Sequence, residues 1–346
     1  RAFIRSAQIP KPQLHTLAQV QSNAVGYAGL KAPANGLPDI FFILQESTPH
    51  PSIIGSDKQP KTLYGPVTDA SHLTGKLHVH TFAGGTWRSE FAMTTQMRPQ
   101  EFGNDGLYVF HQLEGRINRS VFTMLKTLGY RTMVIYSVPG NFINARGFYT
   151  SIGVDEFYDP MTLGLSGTWD WKTPDSVYYN AMLEKIKDSK QPVAVMLLTI
   201  SQHGPHEYTD PVNDFMTRFA RADQDYADLL AALKKRGKPA GVVAFGDHQP
   251  EFMTRFTEDR KLWYYTTYDM RCVNFACAQT PAGKHTDKSL DIVLLPSLAL
   301  EEFGFGLDDF SALQRVTFKG CEENIETCDE QARLAFNGAF QQFFVQ

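Results

Sequence analysis

The chain has 346 residues, with 33 Lys and Arg against 37 Asp and Glu, for a net charge of -4. This mildly acidic balance, without a basic run, excludes nucleic acid as the main partner. No stretch approaches the roughly 18 consecutive apolar residues of a membrane-spanning helix, and the length suits one large α/β domain or a domain with a small appendage.

The first predicted strand covers residues 40–44, after an N-terminal segment (1–37) with a short predicted helix near 14–22. The run Ile-Phe-Phe-Ile-Leu has no polar position, which is typical of a strand buried on both faces of a parallel sheet. Glu46 follows directly. A carboxylate there is costly unless it is paired or binds a metal; a solvated carboxylate at the strand exit is the alternative.

A histidine pair and a predicted helix start come next. His78 and His80 lie on one side of a short alternating strand, and we interpret them as solvated edge histidines, with metal binding as the alternative. Gly84 and Gly85 permit a tight turn, after which Thr86 begins a helix. Thr86 is either an N-cap or a hydroxyl placed at the positive end of the helix, where an anion or alkoxide is favoured.

The rest of the chain alternates between amphipathic helices and apolar strands, as in an α/β protein. The further predicted helices cover residues 116–128, 174–189, 212–236 and 290–303, with a final helix ending at 343–346. The further predicted strands cover residues 130–136, 192–200, 241–245 and 273–278.

Polar groups follow several of these strands. Arg146, in the loop after the strand at 130–136, is either a phosphate-binding fork or an ordinary surface arginine. Residues 192–200 are followed by Ser-Gln-His-Gly-Pro-His, which contains His203 and His206. Residues 241–245 are followed by Gly246, Asp247 and His248. Because sites form at the carboxyl ends of parallel strands, we expect these groups and Glu46 to gather at one edge of the sheet.

The four cysteines bear on the compartment. Cys321 and Cys328 flank a short polar loop, and we predict a disulfide there, which indicates an oxidising environment. Along a straight strand at about 3.3 Å per residue, Cys272 and Cys277 would lie roughly 16 Å apart, too far to bridge. Buried free thiols and a disulfide across a bend therefore stay equal alternatives for this pair. Neither pair has the CxxC spacing of a zinc knuckle.

Glu46, Asp247 and His248 offer oxygen and nitrogen donors for one divalent metal ion, zinc or manganese. Three protein ligands leave a position for the Thr86 hydroxyl, whose pKa would fall by several units on coordination. An activated hydroxyl facing His203 and an arginine suits attack on phosphorus or sulfur. No second cluster of ligands stands out in the sequence, so we predict one catalytic metal.

Taken in order, these motifs resemble the alkaline phosphatase/sulfatase superfamily, and above all its lipoteichoic acid synthase-like phosphoglycerol and phosphoethanolamine transferases. The resemblance rests on Glu46, Gly85-Thr86 with Ser89-Glu90-Phe91, His203 and Gly246-Asp247-His248. It implies a mostly parallel central sheet with helices on both faces. It also implies a catalytic domain at 38–303 with a small C-terminal appendage at 304–346.

The resemblance further implies roles for individual residues. Glu46, Thr86, Asp247 and His248 would hold the metal, with Thr86 as nucleophile. The candidate catalytic and substrate-binding residues around them are Arg88, Asn144, Arg146, His203 and His206. No Cys/Ser-x-Pro-x-Arg motif of the sulfate-ester hydrolases is present, which favours phosphorus over sulfur.

We therefore predict a transferase that moves a phosphoglycerol or phosphoethanolamine head group from a phospholipid donor to a glycan or lipid-linked sugar acceptor, through a phosphothreonine. A phosphodiesterase or phosphatase with water as acceptor is the first alternative, and a non-catalytic anion-binding module is the second. The family implies the periplasmic or extracellular face of the cytoplasmic membrane, with attachment through a segment outside this chain, as expected for a chain that begins at Arg1. The predicted disulfide agrees with that compartment.

Overall fold

The computed structural model describes residues 28–50, 53, 72–165, 170–256, 258–281 and 285–340. The predicted helix near 14–22 and the end of the predicted C-terminal helix (341–346) lie outside these ranges. Among the helices within them, none has the length and apolar character that crossing a bilayer requires.

Within the described ranges the chain forms nine strands and nine α-helices, joined by short 3-10 segments. Strands β1–β9 are Asp39–Gln45, His72–His78, Arg131–Ile135, Glu156–Tyr158, Val193–Leu198, Ala240–Gly246, Tyr265–Val273, His285–Asp287 and Leu290–Asp291. Helices α1–α9 are Thr86–Thr95, Val109–Gln112, Val121–Lys126, Ala145–Ser151, Asp175–Ile186, Pro211–Arg236, Leu295–Glu302, Asp309–Thr317 and Glu330–Phe340.

All nine strands belong to one sheet, in the order β4-β3-β5-β1-β6-β7-β2-β8, with β9 beside β2. Only β7 runs antiparallel to its neighbours, β6 and β2. The prediction of a mostly parallel α/β sheet flanked by helices is confirmed. Strands β1, β5 and β6 are buried over their whole length, which explains why their sequences contain uninterrupted apolar runs.

The register aligns the carboxyl ends of the central strands. Leu44 of β1 pairs with Leu198 of β5 and Phe245 of β6, and Gln45 pairs with Gly246. The residues that follow these three strands therefore emerge side by side at one edge of the sheet.

The predicted helix at 116–128 is too long, since the helix found there, α3, covers only Val121–Lys126. Arg119, within the predicted helix, is buried and bound to both carboxylate oxygens of Asp308 at 2.8 Å. Ser120 then starts α3 in a capping box with Thr123. The buried ion pair thus holds the preceding segment out of the helix.

The predicted strand at 273–278 is also wrong in its bounds. Strand β7 lies earlier in the chain and ends at Val273, after which Asn274 adopts a positive φ of 62° and turns the chain. The turn brings Cys272 and Cys277 to a Cα–Cα distance of 5.6 Å, and they form a disulfide. The predicted Cys321–Cys328 disulfide is confirmed.

The predicted helix at 290–303 starts later than expected, because residues 290–294 form β9 and a 3-10 turn before α7 begins. The C-terminal residues Phe310, Phe318 and Phe336 pack in the same hydrophobic core as the central strands. The division at residues 38 and 303 stays a prediction.

Candidate active site at the ends of the central strands

Three buried side chains meet where β1 and β6 end. Glu46 and Asp247 each follow the last residue of their strand, and the pairing of those strands sets the two carboxylates next to each other. His248 Nε2 lies 3.4 Å from Glu46 Oε1 and 3.2 Å from Asp247 Oδ2. One ligand atom from each residue lies within 4.8 Å of the other two. The structure brings these predicted residues together, and their role as metal ligands stays a prediction.

Backbone contacts orient the three side chains. His248 Nδ1 lies 3.0 Å from the Gln249 carbonyl oxygen, which assigns the proton to Nδ1 and directs the Nε2 lone pair at the carboxylates. Ser47 adopts a positive φ of 51°, and its amide donates to Asp247 Oδ1 at 2.8 Å. The Ser47 hydroxyl donates to Glu46 Oε1 at 2.8 Å. Each ligand atom is therefore positioned before any cation binds.

The electrostatics of this centre fit a divalent cation. Asp247 Oδ2 is buried and accepts no hydrogen bond among the described residues. Burial, and then the charge of Asp247, raise the pKa of Glu46 to about 8. Burial lowers the pKa of His248, but the charges of Asp247 and Glu46 outweigh it and the net direction is upward. Two carboxylates and an imidazole suit zinc or manganese, which would neutralise the buried charge.

Thr86 completes the group as the first residue of α1. The N-cap position belongs to Gly85, at a φ of 79°, and among the described residues no side chain caps the helix. The N-cap interpretation of Thr86 is therefore wrong. Its hydroxyl instead lies 3.4 Å from His248 Nε2, the atom that also faces both carboxylates. A hydroxyl oxygen at a helix N-terminus and beside a cation site is placed where negative charge is stabilised.

Ser89 and Glu90, which follow Thr86 in the sequence motif, anchor α1 beneath the site. The Ser89 hydroxyl donates to the Asp247 carbonyl oxygen at 2.6 Å. Glu90 is fully buried and accepts from Tyr149 at 2.6 Å and Tyr136 at 3.2 Å. Neither role follows from the sequence, because Asp247 and the two tyrosines lie far along the chain. The motif Ser-Glu-Phe indicated only that these positions belong to the site.

His203 follows β5 and stacks on Trp171, with ring centroids 4.3 Å apart. Its Nδ1 lies 2.5 Å from the Gly204 carbonyl oxygen, so Nδ1 carries the proton and Nε2 keeps a lone pair that can accept one. Burial lowers the pKa of His203. Sequence reasoning did not find Trp171, an aromatic residue in a loop without a pattern.

Arg146 and Asn144 are engaged in contacts of their own. Arg146 Nη2 donates to Asp159 Oδ2 at 2.7 Å and Nη1 donates to the Phe157 carbonyl at 3.0 Å, while its side chain stays 43% exposed. Asn144 Nδ2 donates to Glu114 at 2.7 Å. The substrate contacts predicted for both residues stay predictions.

His206 and Arg88 lie in different surroundings. His206 packs edge-on against Phe215 and Phe252, with ring centroids 5.8 and 5.1 Å away. Arg88 lines a cavity of about 510 Å³, and its buried Nε has no hydrogen-bond partner among the described residues. Of the two, Arg88 has the greater capacity left for an anionic ligand.

Further polar residues missed by the sequence analysis support the edge of the sheet. The Thr199 hydroxyl accepts from the Glu46 amide at 3.1 Å. Gln202 donates to the Glu46 carbonyl at 3.1 Å and to the Thr48 hydroxyl at 2.6 Å. They tie the segment after β1 to the segment after β5, which keeps Glu46 in place.

The interpretation of His78 and His80 as solvated histidines is wrong, because both are buried, at 5% and 3% exposure. Within the described part of the chain, two groups of three residues could hold a cation: Glu46 with Asp247 and His248, and His78 with His80 and Asp291. The sequence did not reveal the second group, since Asp291 lies 213 residues beyond His78.

Comparison with known proteins assigns the class. Residues 38–270 match the family model described as Sulfatase, which is more than half of the chain. The chain therefore belongs to the sulfatase family, within the alkaline phosphatase/sulfatase superfamily.

Two curated proteins are related in sequence. An uncharacterized protein of Haemophilus influenzae is 29% identical over 315 residues, which cover 81% of this chain and 57% of that protein. The lipoteichoic acid synthase-like protein YvgJ of Bacillus subtilis is 25% identical over 187 residues, or 49% of this chain and 29% of its own length. The chain thus spans little more than half of one relative and under a third of the other.

Solved structures share the fold. The phosphoglycerol transferase GacH of Streptococcus pyogenes, in complex with sn-glycerol-1-phosphate, superposes with a TM-score of 0.72 at 14% identity and covers 98% of this chain and 95% of its own. The periplasmic domain of EptC from Escherichia coli, in complex with zinc, gives 0.54 at 14% identity and covers 82% and 87%. At these identities the likeness is one of fold.

Proposed function

We propose that this chain is the catalytic part of a metal-dependent phospho-group transferase. It would move a phosphoglycerol or phosphoethanolamine head group from a phospholipid to a glycan or lipid-linked sugar, through a phosphothreonine at Thr86. The observation that carries this proposal is the position of the Thr86 hydroxyl, 3.4 Å from the His248 atom that faces Glu46 and Asp247. Helix capping does not account for this position, because Gly85 and not Thr86 is the N-cap residue.

A bound zinc or manganese ion would lower the pKa of a coordinated hydroxyl and offset charge at the phosphoryl oxygens. Glu46, Asp247 and His248 would hold the cation, and the N-terminus of α1 favours negative charge at Thr86. The threonine oxygen attacks phosphorus and the bond from phosphorus to the diacylglycerol oxygen breaks.

His203 is the proposed proton carrier in both steps. Its lowered pKa keeps the ring neutral near pH 7, and Nε2 is the nitrogen that can accept a proton. It would take the proton of the attacking hydroxyl and give it to the departing oxygen. In the second step a sugar hydroxyl attacks the phosphothreonine, which restores Thr86 and releases the product.

Arg88 is the proposed contact for the anionic head group, because the residue lines the large cavity next to the start of α1 and its buried Nε has no hydrogen-bond partner among the described residues. Arg146 keeps 43% of its side chain exposed and could offer a second contact while it holds Asp159. The proposed location is the periplasmic or extracellular face of a membrane, which suits a chain with two disulfides.

A hydrolase is the second candidate, because the same centre could deliver the phospho-group to water. Product analysis distinguishes the two. The chain is incubated with phosphatidylglycerol or phosphatidylethanolamine, with and without soluble glycans. A transferase gives a phospho-modified glycan, whereas a hydrolase releases the free head-group phosphate at a rate that glycans do not change.

Thr86→Ala tests the nucleophile. We expect release of diacylglycerol to fall by at least about 10³-fold, because the attacking oxygen is gone, while metal content stays close to that of the wild-type chain. Turnover is followed by diacylglycerol release and metal content by elemental analysis.

The matched control is Thr94→Ala in the same helix, whose hydroxyl bonds only to backbone carbonyls of its own turn. That variant should keep its turnover. Full turnover in Thr86→Ala would contradict the assignment of the nucleophile.

A further inference from the structure

The second buried group, His78 with His80 and Asp291, lies at the same edge of the sheet as the active site. Strand β2 ends at His78 and the neighbouring β9 ends at Asp291, and the two strands pair in parallel. Only β7 separates β2 from β6. At about 4.8 Å per strand, the two groups are roughly 10 Å apart along this edge. The group therefore lies at the same edge of the sheet as the candidate active site, but it is separate from the cluster of Glu46, Asp247 and His248.

The three side chains converge closely. His78 Nδ1 lies 3.1 Å from Asp291 Oδ2, and His80 Nε2 lies 3.0 Å from Asp291 Oδ1. Asp291 is completely buried, and each oxygen also accepts one backbone amide, from Val293 at 3.2 Å and Ile325 at 3.4 Å. The amides fix the carboxylate and leave one lone pair of each oxygen directed at an imidazole.

These distances are close to those of a metal site. With zinc bonds of about 2.0–2.1 Å in tetrahedral geometry, neighbouring ligand atoms lie about 3.3 Å apart. One ligand atom from each of the three residues lies within 4.8 Å of the others. Small rotations of two side chains would make room for the ion. A water molecule would supply the fourth ligand.

A second observation points to a ligand. His80 is 3% exposed, yet its Nδ1 has no hydrogen-bond partner among the described residues. Glu326 Oε1 lies 3.9 Å from this nitrogen. Histidines that bind zinc through one nitrogen commonly direct the other at a carboxylate, which sets the tautomer and strengthens the ligand. Glu326 belongs to the loop closed by the Cys321–Cys328 disulfide.

The cation also has a route to the group. The cavity of about 510 Å³ is lined by His78, His80 and Glu326 as well as by Arg88. An ion can therefore reach the group without unfolding of the sheet.

We propose that His78, His80 and Asp291 form a second divalent metal site, selective for zinc, with Glu326 supporting His80. Two imidazoles and one carboxylate are a donor set that zinc accepts readily. The ion would fix the end of β2, from which residues 81–85 lead directly to the nucleophile candidate Thr86. The site is thus a positioning metal site and does not depend on the proposed transferase activity.

Zinc stoichiometry tests the proposal. The metal-free chain is equilibrated with zinc and analysed by native mass spectrometry and elemental analysis. We expect two ions per wild-type chain, one in Asp247→Asn and one in the double variant His78→Gln, His80→Gln. His111→Gln, at an exposed histidine of α2, is the matched control and should keep two.

A single ion in the wild-type chain that disappears in Asp247→Asn would overturn the proposal, as would a second ion that persists in the double variant. A simple His-Asp-His hydrogen-bond network gives the first result. Full turnover in Thr86→Ala would contradict the proposed function but would leave both zinc counts unchanged, so failure of the proposed function and failure of this proposal are distinguishable.

If the double variant does not fold, Glu326→Gln replaces it. Its side chain is 47% exposed, so the substitution leaves the core intact. Loss of a supporting carboxylate should weaken zinc binding at the second site by about 10-fold or more, with the first site unchanged. Wild-type zinc affinity at both sites in Glu326→Gln would overturn the proposal.

Discussion

At the scale of single residues, Glu90 is a buried ionisable group that makes the stability of the fold depend on pH. It is fully buried beneath the nucleophile candidate, and desolvation raises its pKa to about 8 despite hydrogen bonds from Tyr149 and Tyr136. The folded state therefore binds a proton that the unfolded chain releases near pH 4.5. Its contribution to stability is complete below that pH and is lost as the pH rises through about 8.

Glu90→Gln should remove this dependence. An uncharged amide keeps an acceptor for the tyrosine hydroxyls and has no proton to lose. The unfolding free energy of the variant should rise relative to wild type by about 2–4 kcal/mol between pH 5 and pH 8, at about 1.4 kcal/mol per pH unit. Urea denaturation of the metal-free chain measures it.

Glu251→Gln, at an exposed position, is the control and should follow the wild-type pH profile. A constant difference between Glu90→Gln and wild type across this range would show that Glu90 is already ionised in the folded chain.

At the scale of elements, the ends of β1 and β6 approach so closely that only glycine fits at position 246. A Cβ there would lie 2.2 Å from the Thr48 carbonyl oxygen and 3.0 Å from the Thr266 side chain. The segment after β1 would have to move, and it carries Glu46. The glycine before Asp247 therefore sets the distance between the two carboxylates.

Gly246→Ala should lower the unfolding free energy by about 1–3 kcal/mol, because the core around it is overpacked. It should also weaken binding of the catalytic metal, because Glu46 is displaced. Urea denaturation and metal titration measure the two effects. Gly29→Ala, where no described residue lies within 4 Å of the added Cβ, should match wild type. Wild-type metal affinity in Gly246→Ala would contradict this account.

The strands and their exits could be predicted from the sequence, whereas side-chain pairings between distant elements could not. Strands β1, β5 and β6 are readable because burial on both faces leaves only apolar residues, and their polar exits follow from the parallel register. The metal-binding candidates Glu46, Asp247 and His248 were found in this way. The early helix start at residue 116 and the interpretation of His78 were wrong because Arg119 and His78 bind Asp308 and Asp291, which lie 189 and 213 residues away. Local patterns carry no information about such pairings.

At the scale of the whole molecule, a buried ion pair connects the C-terminal helices to the sheet domain. The Arg119 guanidinium donates to both oxygens of Asp308, to Gln96 at 2.9 Å and to Ser311 at 2.9 Å. Asp308 is fully buried and also caps α8 through the Ser311 amide. The C-terminal residues thus stabilise the body of the fold.

Asp308→Ala should destabilise the chain by about 3–5 kcal/mol, since it leaves a buried guanidinium without its counter-charge and removes a cap. Urea denaturation measures this loss. Glu184→Ala breaks the exposed pair with Lys187 and should keep the wild-type midpoint. Equal midpoints for Asp308→Ala and wild type would contradict a structural role for the C-terminal residues.

The mass of the Thr86 peptide reveals whether Thr86 carries the phospho-group at a cation held by Glu46, Asp247 and His248. The metal-loaded chain is mixed with phospholipid, quenched in acid, digested and analysed by mass spectrometry. We expect one adduct, confined to Thr86 and equal in mass to the transferred head-group phosphate, and none in Thr86→Ala. An adduct on another residue, or donor consumption by Thr86→Ala at the wild-type rate, would show that Thr86 is not the nucleophile.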